Sequence, residues 1–146
     1  MKIYRYKKNF NLDSFLSKPL FAHLATVDED FPRDSPVWFH WEDEKLWIIG
    51  TPSDTFPIRI RKNPKCAIGI VEYDKKTGLV LHAGFRGRAT VEPFDNGLAC
   101  RLLSKYMGVD KEKWDPRFQF LDDSNMLIRF IPETVVVRDQ SYTVSY

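Results

Sequence analysis

"KCAIGIVEYDKKTGLVLHAGFRGRATVE" (residues 65–92) reads as two strands around a tight turn. The Ile and Val content of residues 65–73 favours extended backbone. "DKKTG" (74–78) is a hairpin signal, and residues 79–92 return as a second, longer strand. Segments joined this closely pair antiparallel, because a parallel partner needs a crossover of about a dozen residues or more. The second strand exceeds the usual length and holds Gly84 and Gly87, so a bend or bulge is expected between them.

Upstream, "PVWFHW" (36–41) and "LWIIG" (46–50) read as strands joined through "EDEK" (42–45), and hence as antiparallel neighbours. Within 36–41, Val37, Phe39 and Trp41 share one face, Trp38 and His40 the other. "FAHLATV" (21–27) is a further strand, followed by a turn or ragged hairpin, "DEDFPRDS" (28–35). Asp13 can cap a short helix carrying Leu12, Phe15 and Leu16 that ends near Pro19. Pro57 can open another short helix, which Pro64 closes. Downstream, Leu98, Ala99, Leu102, Leu103 and Tyr106 form a helical stripe over 95–107, with Gly108 as a left-handed terminator. Residues 110–124 have the look of a linker, and Pro132 separates two strand-like segments, "NMLIRFI" and "ETVVVRD". About six strands with two or three short helices argue against doubly wound architecture. They predict a small antiparallel barrel, closed or nearly so, that pairs its own edges.

The 146 residues suit one domain over 1–146, and 43% apolar content is ample for a core. A formal charge of +2 gives no ground for a nucleic-acid partner. No run approaches the roughly 18 apolar residues of a membrane span, so no membrane partner is expected. The opening "MKIYRYKKNF" has basic residues, no apolar segment after it and no small-residue cleavage site, so a signal peptide is not expected either. Two isolated cysteines, Cys66 in a strand and Cys100 in a helix, suit a reducing compartment; a cytoplasmic protein is the expectation.

Several site classes lack their residues. "GFRGR" is not a nucleotide-binding glycine fingerprint and lies within a strand. His23, His40 and His82 are widely spaced and no cysteine pair forms a ligand knuckle, so no metal site is expected. Ser35, His40 and Asp43 lack a nucleophile-elbow setting. The loop "TPSDTFPIRIRK" (51–62) is different. Thr51, Ser53 and Thr55 could join backbone amides around an oxyanion, with Arg59 or Arg61 adding charge. The same residues also read as a polar loop before a solvated basic helix face. The aromatic face of Trp38 and His40 could pack a cofactor ring, a second subunit or the core. Arg86, Arg88, Thr90 and Glu92 read as a solvated exterior.

Taken together, "LATVDEDFPRDSPVWFHWEDEKLWIIG", "RIRKNPKCAIGIVE", "FRGRATVEP" and "IPETVVVRD" resemble the pyridoxamine 5′-phosphate oxidase-like, FMN-binding split-barrel superfamily, over about residues 12–139. The resemblance implies a mainly β protein, a six-stranded antiparallel split β-barrel with short flanking helices. It implies a homodimer with FMN in an interface cleft, a flavin-dependent oxidoreductase acting on a small-molecule substrate. By the same resemblance Pro36, Val37 and Trp38 border the flavin ring, Thr51 and Thr55 reach the phosphate, and Arg59 substitutes for a basic pair replaced here by Phe56 and Pro57. Other members are reductases that use the deazaflavin F420, and others bind haem, whose candidate ligands here would be His23, His40 and His82. Others serve as cofactor-binding or dimeric interaction proteins without turnover. The segment "VRDQSYTVSY" lacks the Arg-and-His arrangement expected for pyridoxamine phosphate, so oxidation of that substrate is not expected. No catalytic acid or base is assigned.

Overall fold

The computed structural model describes residues 1–7 and 10–145. Its elements begin with β1 (Lys2–Lys7), α1 (Leu12–Leu16), β2 (Ala22–Val27), β3 (Pro32–Val37), β4 (His40–Glu42) and β5 (Lys45–Gly50). They continue with α2 (Phe56–Lys62), β6 (Lys65–Asp74), β7 (Leu79–Pro93), α3 (Asn96–Met107), a 3-10 turn (Lys111–Lys113), α4 (Pro116–Gln119) and β8 (Met126–Asp139). The 65–92 hairpin forms as its sequence predicts, closed by the Gly78 amide donating to the Asp74 carbonyl at 2.9 Å.

The strand count and closure differ from expectation. Among the described residues eight strands join one sheet, in the order β3-β2-β6-β7-β8-β5-β4, with β1 added in parallel to β8. The sheet is neither six-stranded nor wholly antiparallel, and it is not closed into a barrel: β3 and β4 end the path with no ladder between them. Only Trp38 and Phe39 connect those two edges, so the sheet curls until its ends approach at one corner yet stay unpaired. The physical reason lies in β3, "PRDSPV", whose two prolines and charges suggest a turn. An edge strand tolerates proline, since its outward amide has no ladder partner to lose.

The segment 36–41 accordingly splits between β3 and β4, while the two segments around Pro132 merge into one strand. The register shifts between Arg86 and Gly87, which face Thr134 and Pro132 and leave Glu133 as the extra residue. Pro132 therefore sits at a bulge, where its missing N–H costs little. The expected irregularity near Gly87 is this bulge. A Cβ on Gly87 would lie 2.2 Å from the Ile131 carbonyl oxygen.

The main core fills the concave side of the sheet with Leu24, Phe39, Ile48, Ile68, Phe85, Phe130 and Val135, each at most 1% exposed. Helix α1 adds Phe15 and Leu16 to it, and α2 adds Phe56 and Ile60. Asn11 rather than Asp13 caps α1, its side chain accepting from the Ser14 amide at 2.8 Å; Asp13 instead takes the Trp41 indole N–H at 2.7 Å. A second cluster, Leu102, Leu103 and Trp114 with Trp38, Ile49 and Phe118, holds α3 beside the β3–β4 corner. Among the described residues no helix is long and apolar enough to cross a membrane.

Candidate functional site

A groove of about 500 Å³ opens between β3, the loop after β5, α3 and the α4 segment. One wall is Pro36, Val37 and Trp38 at the end of edge strand β3; the opposite wall is Leu102, Leu103, Phe118 and Leu121. Ile49 lies between them, and Thr51, Ser53, Asp54 and Thr55 form a polar end. The structure thus brings together Pro36, Val37, Trp38, Thr51 and Thr55, but Arg59 does not line the groove.

Each of these residues has a local reason for its place. Trp38 follows β3 and faces away from the main core, where its ring stacks on Tyr106 at 4.4 Å and 3° and meets Phe118 at 5.6 Å. Its ring is thereby used in internal packing, although the residue also lines the groove. Tyr106 locks this corner: its hydroxyl donates to the Leu20 carbonyl at 2.6 Å and accepts the Phe39 amide at 3.1 Å.

At the polar end, Asp54 Oδ2 accepts the Thr51 amide at 2.7 Å and the Thr51 hydroxyl at 2.9 Å. Thr51 Oγ1 also lies 3.0 Å from Ser53 Oγ. The loop is therefore prefolded around a carboxylate. Arg59 stands one bond behind it, with Nη1 donating to Thr55 Oγ1 and Nε to Thr26 Oγ1, both at 2.7 Å. Thr26 is 1% exposed, so Arg59 satisfies a buried hydroxyl as well as touching the groove wall through Thr55. Burial and the neighbouring Arg33 charge lower the Arg59 pKa, partly opposed by Asp28; the guanidinium still carries its charge at neutral pH.

Half of the second wall, Phe118 and Leu121, comes from the linker-like segment 110–124. "WDPRFQFL" (114–121) carries a helix-start signal, Asp115 before Pro116, and Asp115 does accept the Arg117 amide at 3.0 Å. Trp114, 4% exposed, anchors the segment through its indole N–H to the Gly108 carbonyl at 2.8 Å. The three histidines do not converge, and among the described residues no group of three His, Cys, Asp or Glu side chains could hold a metal.

The solved structures similar to this chain share its fold. A conserved hypothetical protein from Mycobacterium tuberculosis is 13% identical, with a TM-score of 0.76 over 98% of this chain and 97% of that one. An F420 reductase is 24% identical, with a TM-score of 0.62 over 88% and 98%. The haem storage protein HutZ from Vibrio cholerae is 21% identical, with a TM-score of 0.64 over 89% and 93%. No curated protein matches the sequence. The family described as pyridoxamine 5′-phosphate oxidase matches residues 11–131, most of the chain including the whole of the groove, and the protein belongs to that family of FMN-binding split-barrel proteins.

Proposed function

We propose that this protein is an FMN-dependent oxidoreductase acting on a small molecule, with the flavin in the β3–α3 groove. The observation that carries the reading is the groove's polarity, apolar along Ile49, Leu102, Leu103 and Leu121 and hydroxyl-lined at Thr51, Ser53 and Thr55. Its volume falls within the usual range of cofactor pockets, about 300–1,000 Å³. A bound flavin supplies hydride and electron transfer. The chain's own part is to bind, orient and shield.

The residues fit such a group. The free edge of β3 offers backbone polar groups of Pro36, Val37 and Trp38 beside a flat apolar slot. Thr55 accepts from Arg59 and so keeps its own O–H to donate, polarised by the guanidinium behind it. Thr51 donates to a phosphate only by turning away from Asp54, which makes Thr55 and Arg59 the stronger pair. The groove is open along the β3 edge, and Phe21, Val71 and Tyr73 are over half exposed. Both features support a homodimer whose second copy covers the site, and the free cysteines Cys66 and Cys100 support a cytoplasmic setting.

The test is an absorption spectrum of purified protein, mass identification of anything released, and FMN titration of Thr55→Ala and Arg59→Lys. Flavin bands with released FMN are expected, with Thr55→Ala weakening FMN about 10- to 100-fold, the loss of one charge-assisted contact. Thr55→Ala that folds normally and binds FMN like the wild type removes the phosphate assignment. F420 binding without FMN binding replaces the cofactor, and failure of both leaves an interaction protein on the same fold.

A further inference from the structure

Over β3, β2, β6 and β7 the side of the sheet turned away from the main core carries two rows of residues in register. One runs Asp34–Ala25–Ala67–Arg86 and the next Pro36–His23–Gly69–Gly84. Their chain neighbours Leu24, Ile68, Ala83 and Phe85 are buried in the core, so these positions face outward. Each row is lopsided. In the first, an acid stands at one end and a cation at the other, with two methyl groups between them. In the second, Pro36 and His23 are exposed on the β3–β2 half, while the β6–β7 half is bare backbone. A Cβ at Gly69 would meet nothing within 4 Å, and its φ is not left-handed, so no contact within the chain requires that glycine. A glycine inside a strand marks a place where another backbone or a ligand comes close.

The charges of the first row are not balanced within one chain. Arg86 is exposed and makes no hydrogen bond or ion pair among the described residues. Asp34, 59% exposed, meets only His23 Nδ1, at 3.1 Å. Three strand spacings separate Asp34 from Arg86, about 14 Å, which is too far for a bond across the sheet. Asp34 also lines the flavin groove, whose walls carry two carboxylates, Asp34 and Asp54, and no lysine or arginine. An anionic ligand there needs a cation from elsewhere.

We infer that two copies of the chain pack through this face, with the partner's Arg86 pairing with Asp34 at the rim of each groove. The rows give the symmetry. A two-fold axis along the strands, midway between β2 and β6, lays Asp34 opposite the partner's Arg86 and Ala25 opposite the partner's Ala67. It also lays His23 and Pro36 opposite the partner's Gly69 and Gly84. Acid meets base and bulk meets bare backbone, twice over, as an isologous interface requires. Aligned sheet-on-sheet packing supplies the layer geometry. The half-exposed Val71 continues the same face beyond Gly69 and adds apolar contact. The inference rests on the homodimer proposed above and adds which face forms it and which residue crosses to the groove.

The test is sedimentation velocity on purified apoprotein at micromolar concentration, with Asp34→Arg, Arg86→Glu, the double variant, and an equimolar mixture of the two single variants. Wild type is expected to be a dimer. Each single variant sets like charges against each other at both ends of the interface and is expected to raise the dimer Kd at least about 100-fold. The double variant and the mixture restore opposite charges at both ends, so both are expected to dimerise again. A structural role of either residue within its own chain predicts no such rescue, and Arg86→Glu still reads the pairing if Asp34→Arg fails to fold. Single variants that dimerise like the wild type, or no rescue by the double variant and the mixture, overturn this interface and leave a dimer through another face. A monomeric wild type overturns the dimer as well. Flavin content is scored separately by absorbance, so its absence leaves the result standing.

Discussion

Two glycines on neighbouring strands meet opposite constraints. A Cβ at Gly87 would lie 2.2 Å from the Ile131 carbonyl oxygen and 3.0 Å from Phe130, whereas at Gly69 it would meet nothing within 4 Å. Gly87→Ala must push apart β7 and β8 at the bulge and is expected to cost ~2–4 kcal/mol. Gly69→Ala adds a side chain to an open sheet face and lowers unfolded-chain entropy, so it should be neutral or stabilising by up to ~1 kcal/mol. Urea unfolding of the two variants checks this; a Gly87→Ala midpoint equal to that of Gly69→Ala removes the steric account. The need for an irregularity near Gly87 was legible in a strand too long to run straight. That Gly69 has open space above it was not, because both are glycines in strand sequence and only the facing residues separate them.

Tyr106 shows how a single side chain ties elements together. From α3 its hydroxyl reaches the Leu20 carbonyl before β2 and the Phe39 amide between β3 and β4, while burial raises its pKa to about 12. Tyr106→Phe keeps the stack on Trp38 but strips both backbone groups of their partner, an expected loss of roughly 1–3 kcal/mol. The near-ultraviolet dichroism of the stacked rings should persist while the urea midpoint falls; loss of both signals would mean that the ring, not the hydroxyl, holds the corner. Tyr106 was visible beforehand as the last member of the stripe over 95–107, since helical spacing is a local property. Its partners were not. The expectation of a single strand over residues 36–41 has the same origin: an alternating apolar pattern continues across the bend at Trp38 and Phe39, because pattern records which face a residue takes and not which strand it belongs to.

The stability of the whole molecule carries the signature of its buried amine. Lys105 titrates near 7 in the folded chain and at its ordinary 10.5 when unfolded. Between those values the unfolded chain holds more protons, so this group makes stability rise with pH. Cys66 acts in the other direction, since burial lifts its thiol from 9.0 to about 11 and stability falls as the unfolded thiol ionises. The clear window is therefore pH 7 to 9. His40, lowered by burial, titrates below it; Glu42 and Arg101, pushed down and up by their mutual hydrogen bond, keep their charges across it. Wild type is expected to gain stability over this window relative to Lys105→Met, measured by urea unfolding at each pH; a constant difference would show an ordinary lysine in the folded state. The sequence by itself determined the 65–92 hairpin, the β4–β5 hairpin, α3 and the placement of polar loop 51–55 after a strand, because turn chemistry and residue periodicity act over a few neighbouring positions. Tertiary structure alone decided that β1 joins β8 in parallel, that the β3 and β4 edges stay unpaired, that Arg59 serves Thr26 and that Lys105 lies beneath α1. The last two outcomes join residues 33 and 89 positions apart, and no local preference of the chain encodes which distant partner a strand edge or a buried charge will meet.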